Sequence, residues 1–114
     1  AIARVNMAIQ WIRRDFAEPI GVERLAERAS MSVSAFHRHF KAVTSLSPLQ
    51  YQKRVRLLQA RTLMVVHAKS VMAAAFEVGY ESATQFSRDY LRVFGLPPAQ
   101  DTGRILGKTS AAKP

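Results

Sequence analysis

The sequence predicts an all-α fold of about seven helices, in which two helix-turn-helix subdomains are joined by a long central helix. Two observations predict this fold. Apolar residues recur at intervals of three and four along almost the whole chain, which is the period of an amphipathic helix. The chain also repeats itself at an offset of 50 residues, with nine identities where composition alone gives roughly two. The nine are Glu27, Ser32, Phe36, Arg38, Val43, Leu46, Pro48, Gln50 and Arg54, which recur as Glu77, Ser82, Phe86, Arg88, Val93, Leu96, Pro98, Gln100 and Arg104.

Composition indicates a small folded domain with an excess of positive charge. The 114 residues are enough for a modest core. Seventeen Lys and Arg against eight acidic residues give a net charge of +9, which favours a polyanionic partner, either nucleic acid or an anionic membrane surface. The alternative is a basic protein without such a partner. No run of five or six like charges occurs, so the charge belongs to a folded surface rather than to a tail.

Other compositional features narrow the class of protein. The chain has no cysteine, which excludes disulfides and thiolate metal sites and fits a cytoplasmic protein. No apolar run approaches 18 residues and no signal-peptide pattern is present, so we expect no membrane association. The first residue is Ala1 rather than Met, so we expect the sequence to be part of a longer protein.

The first subdomain is predicted to cover residues 1–47. A stripe of apolar residues at steps of three and four indicates an amphipathic first helix: Ile2, Val5, Ile9, Ile12 and Phe16. Pro19 and Gly21 end this helix. A short helix over 22–29 and a serine-capped helix over 33–44 follow, separated by a turn. This order of a short helix, a turn and a longer helix is that of a helix-turn-helix.

A long connecting helix is predicted over residues 48–66. Its apolar residues form two adjoining stripes, which predicts packing on both sides: Tyr51, Val55, Leu58 and Thr62, and Leu57, Ala60 and Met64. The second subdomain, 67–106, repeats the order of the first, with predicted helices at 71–78, 83–94 and 99–106. Residues 107–114 are small, polar and basic, and are predicted to be disordered.

The longer helix of each subdomain has one apolar face and one polar face. At 100° per residue the inward residues are Phe36, Phe40 and Val43 in the first copy and Phe86, Tyr90 and Val93 in the second. The outward residues are Ser34, His37, Arg38 and Lys41 in the first copy and Thr84, Ser87 and Arg88 in the second. Arg can donate two hydrogen bonds to guanine, and Ser, Thr and His can bind base edges or phosphates. Because both copies share this polarity, contact with DNA is favoured over a merely solvated surface.

Several motifs match one family. The second copy contains Val78-Gly79-Tyr80-Glu81-Ser82, Phe86-Ser87-Arg88, Phe94-Gly95 and Pro97-Pro98. The first copy contains Leu25-Ala26, residues 31–41, Ser47-Pro48 and Tyr51, and the central helix adds Arg56-Leu57, Ala60 and Leu63-Met64. Over about residues 5–100 the chain resembles the DNA-binding domain of the AraC/XylS family of bacterial transcription regulators.

The resemblance implies a mode of binding to double-stranded DNA, with two recognition helices in successive major grooves. The implied base contacts are Ser34, His37, Arg38, Ala83, Thr84 and Arg88. The implied phosphate contacts are Lys41, Lys53, Ser70, Val71 and Ser87. The resemblance also implies an effector or dimerisation domain before residue 1, contact with RNA polymerase, a place in the bacterial cytoplasm at the nucleoid, and no cofactor.

Three positions depart from the family pattern. The family usually places a Tyr-Arg pair soon after the proline pair. The first copy keeps the equivalent at Tyr51, but Asp101 stands in the second, so we expect the last helix to pack loosely. Leu91 stands where the first copy has Lys41, which removes a phosphate contact. Ala83 can contact only a thymine methyl group. We therefore expect the first recognition helix to carry most of the sequence specificity.

Other functions have weaker support. Residues 103–109 resemble a phosphate-binding loop but have three residues between the glycines instead of four, and no strand precedes them. His37 and His39 point about 200° apart on a helix and cannot share a metal. No catalytic or metal site is therefore predicted, and we expect no enzyme activity. Trp11 is either a half-buried core residue or a contact to another domain. The alternative function is a basic helical adaptor that acts through protein contacts, with weak or non-specific DNA binding.

Overall fold

The computed structural model of the chain describes residues 1–107, which form seven helices and no strand. The helices are α1 (Ile2–Arg14), α2 (Val22–Arg28), α3 (Val33–Thr44), α4 (Pro48–Val65), α5 (Val71–Glu77), α6 (Ala83–Phe94) and α7 (Pro98–Ile105). The predicted all-α fold is confirmed. The chain divides into two compact units, Ala1–Val55 and the part from Arg56 onward, with the boundary inside α4. Apart from Gly107, the predicted disordered segment lies outside the described residues.

The first unit buries residues from α1, α2 and α3 in one core. Its buried members are Val5, Ala8, Ile12, Leu25, Ala26, Ala29, Phe36 and Phe40, with Ile9 and Tyr51 packed against them. The Phe40 ring meets the Tyr51 ring edge-on, with 5.7 Å between centroids. Two predicted core positions are wrong: Ile2 and Val43 are exposed, because each lies in a terminal turn that extends past the core.

The second unit repeats this arrangement with the C-terminal half of α4 in the role of α1. The buried residues Leu57, Ala60 and Met64 correspond to Val5, Ala8 and Ile12 at an offset of 52 (5 to 57). Nη1 of Arg4 donates to the carbonyls of Ala29 and Ser30 at the end of α2, and Nη1 of Arg56 donates to that of Gly79 at the end of α5. The repeat therefore includes the helix before each helix-turn-helix: α1 in the first unit and the C-terminal half of α4 in the second. A search at the single offset of 50 misses this part, because these two helices are related by an offset of 52.

The offset changes along the repeat because the turns differ in length. α2 and α5 begin 49 residues apart (22 to 71), whereas α3 and α6 begin 50 apart (33 to 83). The turn of the second copy is thus one residue longer. Glu27 and Glu77, which are identical at an offset of 50, occupy different positions in their helices.

The two predicted apolar stripes of α4 differ in how far they are buried. Leu57, Ala60 and Met64 are buried, but Leu58 and Thr62 are exposed. The N-terminal half of α4 contributes Gln52 and Val55 to the first unit, and the C-terminal half contributes to the second. Since each half faces its own unit, no single stripe runs the length of the helix.

The last helix is firmly anchored, and the expectation that it packs loosely is wrong. Asp101 is fully buried and accepts hydrogen bonds from the Tyr90 hydroxyl, from Arg61 Nε at 3.0 Å and from Arg104 Nη2 at 2.9 Å. The Arg61 guanidinium also lies over the Phe94 ring, 3.8 Å from its centroid. The carboxylate is tolerated at this position because three donors satisfy it.

Arg61, Tyr90 and Asp101 replace a less polar trio in the first unit, in which the Tyr51 hydroxyl accepts a hydrogen bond from Arg13 Nε at 3.1 Å. Tyr90 and Asp101 stand at the positions of Phe40 and Tyr51 in the first unit, and Arg61, at the α4 offset of 52, stands at that of Ile9. The second unit has therefore exchanged all three members together, which explains how it lost the family tyrosine without losing the packing of α7.

Candidate nucleic-acid interface

The first candidate recognition helix is α3. Ser32 caps it, its Oγ accepting a hydrogen bond from the Ala35 amide at 3.2 Å. On its inward side Phe36 and Phe40 are fully buried, with their ring centroids 5.6 Å apart. The predicted DNA-contacting residues lie together on the opposite side and are all exposed: Ser34, His37, Arg38 and Lys41. The aromatic anchors thus fix a helix whose outward face offers hydrogen-bond donors and positive charge.

The second candidate recognition helix, α6, has the same construction. The Oγ of Ser82 accepts from the Gln85 amide at 3.1 Å, and Phe86 and Tyr90 are fully buried with centroids 5.6 Å apart. The predicted contact residues divide by exposure, with Thr84 and Arg88 exposed and Ala83 and Ser87 half-buried. Leu91, in the place of Lys41, is 47% exposed, so an uncharged side chain occupies this part of the outward face.

Arg38 and Arg88 occupy equivalent places in the two helices. Each is the sixth residue of a twelve-residue helix that begins after a serine cap. Each is exposed and lies two residues after a buried phenylalanine. The structure therefore brings the three predicted base-contacting residues of each copy onto one helix within its unit.

The remaining predicted phosphate contacts lie on other helices. Lys53 is half-buried on α4. Ser70 is the N-cap of α5, and its Oγ accepts from the Ala73 amide at 3.0 Å, an arrangement in which the O–H can still donate to a phosphate. Val71 is the first residue of α5 and is half-buried.

A polar network inside the second unit was not predicted from the sequence. Asp89 is 2% exposed and accepts hydrogen bonds from the Tyr80 hydroxyl at 3.0 Å and from Gln85 Nε2 at 3.0 Å. Arg92 Nη1 lies 3.3 Å from the same carboxylate. Burial and then the hydrogen bond to Asp89 raise the pKa of the Tyr80 hydroxyl well above its usual range. The signal in the sequence is the position of Asp89, between Phe86 and Tyr90 on the apolar side of the helix.

Other kinds of site receive no support from the described residues. Within residues 1–107 no three His, Asp or Glu side chains converge in a way that could hold a metal ion. None of the seven described helices combines the length and hydropathy needed to cross a bilayer. Trp11 is half-buried against the first core and carries the Arg28 guanidinium over its ring at 4.0 Å, which agrees with the first of its two interpretations.

Comparison with known proteins identifies the family. Residues 25–104 match a family model described as a helix-turn-helix domain. The fold is similar to that of a probable AraC family transcriptional regulator from Rhodopseudomonas palustris CGA009, with a TM-score of 0.79 and 30% sequence identity over 90% of this chain and 96% of that one. The chain belongs to the AraC/XylS family.

Further relatives of this AraC/XylS domain agree with the assignment. The transcriptional activator RhaS of Escherichia fergusonii is 37% identical over 98 residues, which are 86% of this chain and 35% of RhaS. RhaS of Klebsiella pneumoniae is 36% identical over 96 residues. The chain thus spans about a third of the length of the curated relatives it matches. The DNA-binding domain of the transcriptional factor AdpA, crystallised with a target DNA, has a TM-score of 0.82 and 29% identity over 93% of this chain and 96% of that one.

Proposed function

We propose that this AraC/XylS domain binds double-stranded DNA in a sequence-specific manner, by placing α3 and α6 in successive major grooves. The observation that carries the proposal is the equivalence of the two helices: each is capped by serine, anchored by two buried aromatic rings, and exposes an arginine at its sixth position. A helix that presents Arg beside short polar groups suits the edges of bases in the major groove.

The proposed contacts divide into two classes. Base edges are contacted by Ser34, His37, Arg38, Ala83, Thr84 and Arg88, and phosphates by Lys41, Lys53, Ser70, Val71 and Ser87. Ala83 supplies at most a methyl contact with thymine. Support also comes from the net charge of +9 and from the likeness to the AdpA domain that was crystallised with a target DNA. Phosphate contacts hold the domain on the duplex, and base contacts select the sequence.

The domain is proposed to act as the DNA-binding part of a bacterial transcription regulator in the cytoplasm, at the nucleoid. RNA polymerase and an effector-binding or dimerisation domain are the proposed protein partners. The length of the RhaS relatives, about three times the part matched, supports a further domain in the full regulator.

Selection of bound sequences from a random pool of duplexes tests the proposal. The expected result is a consensus with two separated blocks of preferred bases, and tighter binding to it than to a scrambled duplex. A salt titration adds the electrostatic component, since log K should fall with log salt by about 0.9 for each phosphate neutralised.

The competing adaptor function predicts a different pattern. A basic helical adaptor would bind every duplex with the same weak affinity and would enrich no consensus. That result would contradict sequence-specific recognition while leaving the family assignment in place.

A further inference from the structure

Gln85 connects an exposed arginine to a buried carboxylate. Its Oε1 accepts a hydrogen bond from Nη1 of Arg88 at 3.4 Å, and its Nε2 donates to Oδ1 of Asp89 at 3.0 Å. Asp89 is 2% exposed and is held from the other side by the Tyr80 hydroxyl. A chain of hydrogen bonds therefore runs from the interior of the second unit to the guanidinium on the outward face of α6.

The first copy has no equivalent of this chain. Ala35 stands at the position of Gln85, and His39 at that of Asp89. The Ala35 side chain has no hydrogen-bonding group, so it cannot restrain Arg38 in the way that Gln85 restrains Arg88. The two recognition arginines are thus alike in position and different in how they are held.

We propose that Gln85 is a positioning residue, which holds Arg88 in the conformation that contacts a base; this inference rests on the proposed function. Arginine loses much side-chain freedom when it binds, and ordering it before binding reduces that cost. The Tyr80 ring meets the Phe86 ring edge-on, with 5.4 Å between centroids. Tyr80, at the buried end of this series of hydrogen bonds, is therefore held in a packed part of the core. A restraint fixed at that end can transmit its rigidity to Arg88.

The geometry favours positioning over direct base contact by Gln85. A glutamine that recognises adenine uses both ends of its amide on the base. Here the oxygen is engaged by Arg88 and the nitrogen by Asp89, and the side chain is half-buried. Gln85 therefore acts through its neighbour.

A double-mutant cycle with Gln85→Met and Arg88→Ala tests the proposal. Met keeps the length and the helix propensity of Gln and removes both hydrogen bonds. Affinity is measured for a duplex selected by this chain from a random pool and for a scrambled duplex, and thermal unfolding reports on the fold. We expect Q85M to weaken binding to the selected duplex by about three- to tenfold, to leave the scrambled duplex unaffected, and to have no further effect in the R88A background.

Two outcomes overturn the inference in distinguishable ways. If R88A weakens binding to the selected duplex but Q85M has the same effect in both backgrounds, or none in either, Gln85 does not position Arg88 and the base contact itself stands. If R88A leaves the preference for the selected duplex unchanged, the proposed base contact of Arg88 fails together with the positioning role.

Discussion

Asp101 and Arg61 lie 40 residues apart in the sequence, yet Oδ2 of the one is 3.0 Å from Nη2 of the other. The carboxylate is fully buried, and the guanidinium is partly exposed. Their contact joins α4 to α7 inside the second unit, at the position where the first unit packs Ile9 beside Tyr51. The equivalent positions therefore hold a buried ion pair in one copy and, in the other, a tyrosine that packs on Phe40 and accepts a hydrogen bond from Arg13 at 3.1 Å.

Asp101→Ala is expected to destabilise the chain by about 2–4 kcal/mol. The substitution leaves Arg61 and the Tyr90 hydroxyl without their common acceptor, and breaking one side of a buried pair costs much more than exchanging the pair. The partial exposure of Arg61 places the value below that of a fully buried pair. Urea denaturation measures the change.

A matched control rebuilds the arrangement of the first unit. The triple substitution Arg61→Ile, Tyr90→Phe and Asp101→Tyr copies Ile9, Phe40 and Tyr51. We expect it to be more stable than Asp101→Ala, because it removes the Arg61 guanidinium and the Tyr90 hydroxyl that Asp101→Ala leaves without their acceptor. Equal instability of the two variants would show that the surroundings of the second unit cannot accept the trio of the first unit.

The Asp101 contribution is expected to disappear in acid. Burial raises the pKa of this carboxyl, but hydrogen bonds from Tyr90, Arg104 and Arg61 outweigh it, so the pKa lies below its usual value. A lowered pKa in the folded state stabilises the chain above the unfolded pKa, about 3.9, and this stability is lost as pH falls through the folded pKa. The difference in unfolding free energy between the parent and Asp101→Asn should therefore be constant above pH about 5 and shrink below pH about 4. A difference that persists unchanged into acid would contradict a lowered pKa.

The caps at the ends of α3 and α6 provide a paired stability test. Both C-cap residues have the left-handed αL backbone conformation, Ser45 with φ of +67° and Gly95 with φ of +83°. Glycine adopts this conformation without steric cost. A Cβ at Gly95 would meet nothing within 4 Å, so a substitution there changes only the conformational energy of the backbone. Gly95→Ala should destabilise by about 1 kcal/mol and Ser45→Gly should stabilise by about 0.5–1 kcal/mol. Changes of the same sign in the two unfolding curves would refute this account.

Lys41 and Leu91 test the phosphate contacts. Lys41→Ala should weaken binding to all duplexes alike and reduce the salt slope by roughly one. Leu91→Lys should strengthen binding to all duplexes alike and increase the salt slope by roughly one. Leu91 is exposed at the equivalent position of α6, so its replacement removes little from the core. Binding is measured at several salt concentrations with selected and scrambled duplexes. A change confined to the selected duplex would show that these positions contribute to base selection instead.

The two arginines test the division of specificity. Arg38→Ala is expected to cost about 1–3 kcal/mol on the selected duplex and to relax the preference at one base position. The expectation that the first recognition helix dominates requires Arg88→Ala to cost less. Repeating the selection with each variant identifies the base position that loses its preference. A larger loss from Arg88→Ala would assign the dominant role to the second helix, in line with its tethered arginine.

Local signals made most of the fold predictable. The serine caps Ser32 and Ser82 and the apolar periodicity act within one or two helical turns, so they are visible in a single stretch of sequence. The same signals placed Phe36 and Phe86 inward and Arg38 and Arg88 outward, as the structure shows. The repeat at an offset of 50 indicated that two similar units are present.

Only the tertiary structure decided which side chains complete each other across the chain. From the sequence, Asp101 predicted loose packing of the last helix, because its partners Arg61 and Tyr90 lie on other helices and the contact is not visible locally. For Asp89, Gln85 is a neighbour on α6 itself, but the Tyr80 hydroxyl reaches the carboxylate from the turn before the helix. Helix periodicity determines which face is buried, but the fate of a buried charge is determined by donors that only folding brings within hydrogen-bond distance.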